Sequence, residues 1–492
     1  MFLNHAALSC LPAPVRRPAF DPARLSTGIV HLGCGNFHRA HQAVATQAAI
    51  DAEGDAGLKW GITAATMRRP GLARHLRAQD NLYTLLTRKP QGSSASVIGS
   101  IHESIFAGDD AVGLPERIAI PQTRIVTLTV TASGYHLKPN GRLNPQADAI
   151  RADLNAERPR TAVGILTAGL ARVRENGGTP PVILSCDNVT ENGATLRQSV
   201  LDFAALQGHD ALAAWIERNV QFPNTMVDRI APTTTARDKA DARHLLGGLE
   251  DKVPVSAEPW FQWIIGPFDG PRPAWEAHAG TRFVSDVSVF ERAKLQMLNG
   301  SHMLLGYVGA LAGLDTVAAA TRDPALAELT TRFIRDEQSA GVALSADELD
   351  SYTQSLMTLF RNPSIVHEAA RIGRNGSVKM TDRVMAPLRA NLLAGRPAPG
   401  ATLLIAAWIR CCALQEQGAP GMTLTDPHLE TLQRACAATR DNPEAQARTF
   451  LAMQNVFGPA LPDHDRQVQA VASMLHQLSQ DNLPAFLRRL AA

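Results

Sequence analysis

The spacing of apolar residues changes character once along the chain. The first 285 residues alternate short β-branched and apolar runs, which predict strands, with helical segments, as is typical of an α/β domain. The predicted strands are residues 28–32, 59–66, 96–101, 124–131 and 181–185. After Asp286 the strand signal fades, and Ala- and Leu-rich helical periods continue to the end, as in residues 402–414 and 467–478. We predict an α/β domain over residues 1–285 and a mostly α-helical domain over residues 286–492.

A glycine turn follows the first predicted strand. Gly33 and Gly35 lie directly after that strand, and a helical run begins about ten residues further on. In a Rossmann-type dinucleotide-binding domain, backbone N–H groups at such a helix start bind the pyrophosphate, and glycines let the backbone approach it. His38 replaces the third glycine of the usual fingerprint, and Arg39 offers a phosphate contact. We predict that this segment binds a dinucleotide.

A second segment, the helix predicted over residues 287–312, carries the polar side chains of Lys294, Asn299 and His302 in an apolar run. A helix that is apolar on nearly every face is buried, and at about 100° per residue the three polar groups can share one face. Burial lowers the pKa of a lysine. A neutral lysine is the base that a metal-free alcohol dehydrogenase needs to take the hydroxyl proton. The alternative is a core helix whose Lys294 extends to the surface.

Composition excludes several other classes of protein. With 48 Lys and Arg against 46 Asp and Glu, the chain lacks the net positive charge that would attract nucleic acid. No run of eighteen apolar residues and no secretory signal is visible, so we expect a cytoplasmic protein without a membrane partner. The six cysteines show no Cys-x2-Cys pattern, which predicts neither a zinc site nor a disulfide framework.

Several segments, taken together, resemble the polyol-specific long-chain dehydrogenase/reductase family, whose members include mannitol 2-dehydrogenase and fructuronate reductase. The first is Gly33-x-Gly35-x-Phe37-His38-Arg39-Ala40-His41-Gln42, and the second is Lys294-x4-Asn299-x2-His302. Further similar segments, in family order, are residues 128–131, 134–135, 185–189, 191–193, 222–224, 226–230, 258–260 and 262–263. The resemblance extends from about residue 28 to about residue 480.

The resemblance implies a zinc-independent oxidoreductase with its active site between the dinucleotide-binding domain and the helical domain. By this resemblance, Lys294 matches the general base, and His302 matches a residue that binds and orients substrate. Asn188 and Asn299 match the pair that hydrogen-bonds the reacting oxygen, as an oxyanion hole would. From the residues alone, Asn188 could instead form an Asx turn after the predicted strand 181–185.

Three further residues are implied to contact substrate. Asp228 matches an acidic group near the sugar hydroxyls, while Arg371 and Lys379 match cations that hold the open-chain sugar. From the residues alone, Asp228 could equally form a surface ion pair with Arg229. Residues 371–379 could equally be an ordinary helix C-terminus that Asn375 caps.

The cofactor is left as NAD or NADP. Many family members place an acidic residue after the second strand to bind the adenosine ribose, but this chain has Arg68 and Arg69 there. An arginine at this place could pair bidentately with a 2′-phosphate. The alternative is a solvated pair of loop arginines.

Two substrate pairs are open, and both are oxidoreductions at C2 of an open-chain hexose derivative. The segments around the glycine turn and residues 127–135, 187–193 and 225–230 resemble those of fructuronate reductase, whereas Arg371 resembles a residue of mannitol 2-dehydrogenase. The resemblance therefore implies fructuronate with mannonate as the first choice and fructose with mannitol as the alternative. A carboxylate substrate needs a cation, and Arg371, Arg374 and Lys379 are candidates. A sensor that keeps the fold without catalysis is the distant alternative. We expect a small-molecule sugar, sugar-acid or polyol partner, and a monomer or small homo-oligomer.

Overall fold

The first part of the chain combines strands with helices, and the second part is helical. The computed structural model describes residues 1–109, 113–364, 367–419, 422–480 and 482–492. The chain forms two units, Met1–Val287 (unit 1) and Ser288–Ala492 (unit 2). The change from one unit to the other lies two residues beyond the change in apolar spacing.

The strands found in the described residues of unit 1 form three sheets. They are β1 (Thr27–Leu32), β2 (Gly61–Thr66), β3 (Tyr83–Lys89), β4 (Gly92–Ile98), β5 (Ile101–Phe106), β6 (Ile125–Leu128), β7 (Val182–Ser185), β8 (Thr225–Asp228), β9 (Val255–Ala257), β10 (Gln262–Ile265) and β11 (Thr281–Phe283). A five-stranded parallel sheet has the order β5-β2-β1-β6-β7. Two three-stranded sheets have the orders β11-β10-β8 and β4-β3-β9. The strand order of the parallel sheet is that of a Rossmann fold, which confirms the predicted fold class.

The central strand of the parallel sheet is buried on both faces. Ile29 of β1 packs in one apolar core with Ile62, while the next residue, Val30, packs in a second core with Val126. Successive side chains of a strand point to opposite faces. A strand that is buried on both faces reads as a continuous apolar run, which is why β1 was recognisable in the sequence.

Helices lie between the strands of unit 1 along the chain. They are α1 (Asn36–Ala40), α2 (Gln42–Glu53), α3 (Gly71–Arg77), α4 (Leu114–Ala119), α5 (Asp148–Leu154), α6 (Ala162–Glu175), α7 (Asn192–Leu206), α8 (Asp210–Asn219) and α9 (Ala236–Leu245). Short 3-10 helices span His5–Cys10, Pro22–Arg24, Gly54–Trp60, Ala132–Tyr135 and Trp275–Ala277.

One predicted strand is wrong. The sequence predicts a single strand over residues 96–101, but β4 ends at Ile98 and β5 begins at Ile101 in a different sheet. Between them, the Gly99 N–H donates to Gln47 Oε1 over 2.7 Å, and Ser100 Oγ donates to the Ala43 carbonyl over 2.7 Å. These bonds to α2 take the place of strand pairing, and a local pattern cannot show them.

Unit 2 consists of helices. They are α10 (Ser288–Ala293), α11 (Ser301–Leu311), α12 (Val317–Ala320), α13 (Pro324–Arg332), α14 (Ala346–Phe360), α15 (Ala369–Ile372), α16 (Gly376–Met380), α17 (Ala386–Leu393), α18 (Pro399–Glu416), α19 (Leu429–Ala438), α20 (Pro443–Leu451), α21 (Gln454–Phe457), α22 (His464–Leu478) and α23 (Leu483–Ala491). Three segments of the described part of unit 2 are π-helical: π1 (Lys294–Gly300), π2 (Phe333–Gln338) and π3 (Thr381–Met385).

Two predictions about unit 2 are confirmed. α10, π1 and α11 follow one another without a break over 288–311, where the sequence predicts a helix over 287–312. α18 contains the predicted helical run 402–414. In the described parts of the chain, no helix combines the length and the hydropathy that a membrane crossing requires.

Candidate active site

The glycine turn lies at the carboxyl end of β1 and requires glycine at its first position. Gly33 has a φ of +102°, and a Cβ atom there would lie 2.2 Å from the Thr129 carbonyl oxygen. The Gly33 N–H donates to the Ala65 carbonyl over 2.9 Å, which ties the turn to the end of β2. Any side chain at position 33 would therefore push the turn away from β6.

A chain of buried hydrogen bonds through His31 and Thr129 supports this turn. His31 Nδ1 lies 2.7 Å from Thr127 Oγ1, and His31 Nε2 lies 2.9 Å from Thr129 Oγ1. The Thr129 hydroxyl donates to the Gly33 carbonyl over 2.9 Å, so its oxygen is left to accept from His31 Nε2–H. Burial, and then the neighbouring His38, lower the pKa of His31 well below its usual value. A neutral imidazole thus links two strands to the turn.

The structure corrects the predicted dinucleotide contacts of His38 and Arg39. His38 is fully buried, and its ring stacks on that of His31 at 3.4 Å between centroids. Arg39 is 2% exposed; its guanidinium donates to the Val253 carbonyl and to Asn36 Oδ1. Both residues support the turn from inside unit 1, because α1 begins at Asn36 and turns their side chains into the core.

A cleft of about 970 Å³ opens beside the turn. Gly33 and Thr66 line it, which places it at the carboxyl ends of β1 and β2, where open parallel sheets bind ligands. Arg68 and Arg69, for which the sequence predicts a cofactor contact, line the same cleft, and both are exposed. Gly35 and Phe37 are half-buried in and after the turn, and the Phe37 ring stacks on His41 at 4.9 Å. The size, position and charge of the cleft fit a dinucleotide.

Asp187 holds one wall of this cleft, although the sequence predicted no catalytic or binding role for it. Its carboxylate accepts hydrogen bonds from the Val130 and Thr131 N–H groups, at 3.2 and 2.6 Å, and from the Tyr135 hydroxyl at 3.0 Å. Burial raises the pKa of Asp187, and these bonds oppose that effect. The segments that meet here each resemble the family, but the sequence did not predict that they contact one another. The next residue, Asn188, is exposed just beyond the end of β7.

Asp228 is the last residue of β8, and its Oδ2 accepts a hydrogen bond from Trp260 Nε1 over 2.6 Å. The neighbouring Arg229 is only 8% exposed and donates to the carbonyls of Glu258 and Ala40. The sequence allowed a surface ion pair between Asp228 and Arg229, and this interpretation is wrong because Arg229 is buried and donates to backbone carbonyls. Burial, and then the charge of Asp228, raise the pKa of Glu258 to about 8.

The catalytic candidates of unit 2 lie on π1. Lys294 begins this segment and Asn299 is its last residue but one. A π-helix pairs residues five apart, so Lys294 and Asn299 are neighbours across one turn. Both side chains are half-buried, which corrects the expected burial of the lysine. A Cβ atom on Gly300 would lie 3.1 Å from the Arg383 carbonyl oxygen, so π1 packs closely on π3.

His302 follows π1 at the beginning of α11. Its Nε2 lies 3.3 Å from His367 Nδ1, and its ring centroid lies 4.6 Å from that of Phe360. Burial, and then the charges of His367, Arg383 and Lys379, lower the pKa of His302 to about 3. His302 is therefore neutral at ordinary pH and can both donate and accept a hydrogen bond.

The two predicted substrate cations lie on separate short helices. Arg371 is exposed on α15, and Lys379 is half-buried on α16. Asn375 lies between them with a φ of +54°, before the first residue of α16, which is inconsistent with a single helix ending at Lys379. Lys379 Nζ donates to the Ile372 carbonyl over 3.1 Å. Burial, and then the charge of Arg383, lower the pKa of Lys379 to about 8.

The described residues show no group of three or more His, Cys, Asp and Glu side chains placed to hold a metal ion. All six cysteines are free thiols, and burial raises the pKa of Cys34 beside the turn to about 11.

The same two-part organisation is found in known proteins. Residues 27–277 match the model of the mannitol dehydrogenase Rossmann domain, and residues 286–479 match that of the mannitol dehydrogenase C-terminal domain. The chain belongs to the mannitol dehydrogenase family. It is accordingly an oxidoreductase that acts on secondary alcohols with a nicotinamide dinucleotide.

Relatives within the mannitol dehydrogenase family differ in substrate. The chain is 35% identical over 477 residues to D-mannonate oxidoreductase of Escherichia coli (strain K12), a match that covers 95% of this chain and 96% of the relative. It is 36% identical over 485 residues to mannitol 2-dehydrogenase of Cereibacter sphaeroides, a match that covers 97% of this chain and 99% of the relative. This chain is also similar to the solved ternary complex of Pseudomonas fluorescens mannitol 2-dehydrogenase with NAD and D-mannitol. The two have a TM-score of 0.79 and 33% sequence identity, and the match covers 100% of this chain and 99% of the solved chain.

Proposed function

We propose that this protein interconverts D-fructuronate and D-mannonate by oxidoreduction at C2 with NAD or NADP. The observation that carries the catalytic part is π1, which makes Lys294 and Asn299 neighbours and leads directly into the neutral His302. The sugar-acid part is supported by the cations of α15 and α16 and by the resemblance of several segments to fructuronate reductase. Nearly full-length similarity to a D-mannonate oxidoreductase also favours it.

The proposed roles follow from the chemistry of each side chain. When bound, a nicotinamide dinucleotide would supply the hydride-transfer chemistry at C2 of the substrate. Lys294 takes the hydroxyl proton during oxidation and returns it to the oxygen during reduction. Asn299 and Asn188 donate hydrogen bonds to the reacting oxygen, where negative charge develops. His302, being neutral, orients the substrate hydroxyl as donor and acceptor.

The other proposed contacts hold the two ligands in place. Asp228 accepts hydrogen bonds from sugar hydroxyls, while Arg371 and Lys379 hold the open-chain sugar.

In unit 1, the turn that contains Gly33, Gly35 and Phe37 would hold the pyrophosphate. Arg68 and Arg69 would meet the adenosine ribose, with its 2′-phosphate in the case of NADP.

A second candidate function is the interconversion of D-fructose and D-mannitol. It is favoured by the similarity to mannitol 2-dehydrogenases, one of which was solved as a complex with D-mannitol. In this case the same cations would serve as hydrogen-bond donors to hydroxyl groups.

The first experiment measures initial rates with purified protein by the absorbance of reduced nicotinamide. NADH and NADPH are each combined with fructuronate and with fructose. Turnover of fructuronate with fructose at background supports the proposal. A preference for fructose contradicts it and supports the second candidate. The same experiment determines which dinucleotide is used.

The catalytic role of Lys294 is tested by Lys294→Met. The loss of the base is expected to lower kcat about 100-fold or more. Lys239→Met removes an exposed lysine of α9 and serves as the matched control. A Lys294→Met protein that turned over at the wild-type rate would exclude this lysine as the base, while leaving the family assignment intact.

A further inference from the structure

Arg383 on π3 is a cation that the sequence did not single out. Its side chain is half-buried. In the ranges that the structure describes, its guanidinium makes neither a hydrogen bond nor an ion pair. Burial lowers the pKa of Arg383, which shows that removal from water disfavours its charge. A half-buried guanidinium with unused donors is costly unless an anion joins it.

Arg383 lies beside the groups proposed to hold substrate. Lys379 precedes it by four residues at the junction of α16 and π3, so the two cations are neighbours along one helical path. The Arg383 backbone packs against Gly300 of π1, next to Asn299. The charges of Arg383 and Lys379 both act on His302. All of these residues belong to unit 2.

The acidic groups near this cluster do not balance it. The negative charge of Asp426 raises the pKa of Lys379. Its carboxylate, however, already accepts hydrogen bonds from the Ser377 N–H and hydroxyl and from the His428 N–H. The negative charge of Asp382 favours the charged form of Arg383, but Asp382 is exposed to solvent. The buried Tyr307 hydroxyl, which also faces Arg383, is neutral because burial raises its pKa well above the usual value. Positive charge is therefore in excess.

We propose that Arg383, together with Lys379, binds the carboxylate of an open-chain sugar acid beside His302 and thereby selects sugar acids over neutral ketoses and polyols. The planar guanidinium presents two parallel donors that match a carboxylate, and the compact lysine ammonium adds a point charge. A neutral polyol would leave the excess charge uncompensated. This inference rests on the proposed function, and it names the group that recognises the substrate class.

The test compares Arg383→Gln with wild type on fructuronate and on fructose. The ratio of kcat/KM for fructuronate to kcat/KM for fructose is expected to fall at least tenfold, mostly through KM, because a hydrogen-bonded charge pair is lost. Arg383→Lys, which keeps the charge without the planar fork, is expected to recover part of the ratio. Arg434→Gln, which changes an exposed arginine of α19, is the matched control and is expected to keep the wild-type ratio. Thermal unfolding of each variant confirms that it is folded.

An equal loss with fructuronate and fructose, or wild-type behaviour of a folded Arg383→Gln protein, would overturn the inference. Its failure can be distinguished from failure of the proposed function by using D-mannonate as an inhibitor of fructose reduction. If wild type prefers fructose, the proposed function fails. In that case, inhibition by D-mannonate that Arg383→Gln weakens at least tenfold still supports the anion site, and inhibition that is unchanged overturns it.

Discussion

Lys379 shows how neighbours determine the charge of a single residue. Burial, and then the positive charge of Arg383, lower its pKa to about 8, and the charge of Asp426 opposes this effect. Below pH 8 the ammonium is charged and can hold a carboxylate. Above pH 8 it loses its proton and its attraction for an anion. The affinity for a sugar acid is therefore expected to depend on pH within the range in which an enzyme can be assayed.

This dependence is the first prediction at the residue scale. With fructuronate, KM is expected to rise as the pH increases through about 8, whereas KM for fructose is expected to change less. Lys379→Arg keeps its charge at this pH and is expected to remove the rise. The measurement is a profile of KM against pH for wild type and variant with both substrates. A profile for fructuronate that is identical in both proteins would exclude Lys379 from carboxylate binding.

At the same scale, the sequence predicted the local backbone role of a residue better than the groups that surround its side chain. Gly33 was predicted correctly as a turn glycine, because its neighbours in sequence define the turn. Arg39 was predicted to contact phosphate, yet it donates to the Val253 carbonyl, more than two hundred residues away. Asp187 and Arg383 were overlooked as functional residues, because their importance comes from groups brought near them by folding.

At the scale of elements, the N-terminus of α18 depends on a side chain from π2. Glu337 is 6% exposed; its Oε1 accepts from the Gly400 N–H at 2.7 Å and its Oε2 from the Ala401 N–H at 2.8 Å. These N–H groups have no partner within their own helix. A carboxylate at this end also interacts favourably with the helix dipole. Since α18 is a buried helix of unit 2, this cap stabilises the unit's core.

We therefore expect Glu337→Ala to destabilise the protein. It leaves two buried N–H groups without acceptors, at about 1–3 kcal/mol each. Glu337→Gln keeps one carbonyl oxygen and is expected to lose less. Urea unfolding followed by circular dichroism measures the difference. Glu444→Ala, which breaks an exposed ion pair with Arg448, is the control and is expected to change the free energy of unfolding by less than about 1 kcal/mol. Equal stability of Glu337→Ala and Glu444→Ala would contradict this role.

Elements with a continuous apolar or periodic pattern were predicted within a few residues of their bounds. β1, α18 and the helix through π1 are examples. The failure over residues 96–101 arose because an apolar run looks the same whether or not the chain leaves one sheet for another within it. The π-helical character of π1 was also not predicted, because its packing against π3 is a contact between distant segments.

At the scale of the whole molecule, dinucleotide binding is expected to raise the stability of the protein. A ligand at 100 times its Kd that binds only the folded state adds about 2.7 kcal/mol. Gly33→Ala is expected to lose this gain, because a Cβ atom would lie 2.2 Å from the Thr129 carbonyl and the φ of +102° disfavours alanine. The measurement is the rise in Tm on adding NAD or NADP.

The control for this prediction is Gly54→Ala. Gly54 also has a positive φ, of +61°, but no atom lies within 4 Å of the position its Cβ would take. Gly54→Ala is expected to lower Tm through backbone strain while keeping the full rise with dinucleotide. A Gly33→Ala protein that kept the wild-type rise would show that the turn does not contact the cofactor.

The sequence by itself determined the two-part organisation, the parallel α/β domain, the glycine turn and the helix that carries Lys294, Asn299 and His302. These features are encoded in local periodicity and in short motifs, which need no knowledge of distant contacts. Only the tertiary structure decided that His38 and Arg39 face inward, that Asp187 holds the wall of the cleft and that Arg383 lies beside Lys379 and His302. Burial, charge and hydrogen-bond partners belong to groups that are far apart in sequence, and folding alone brings these groups together.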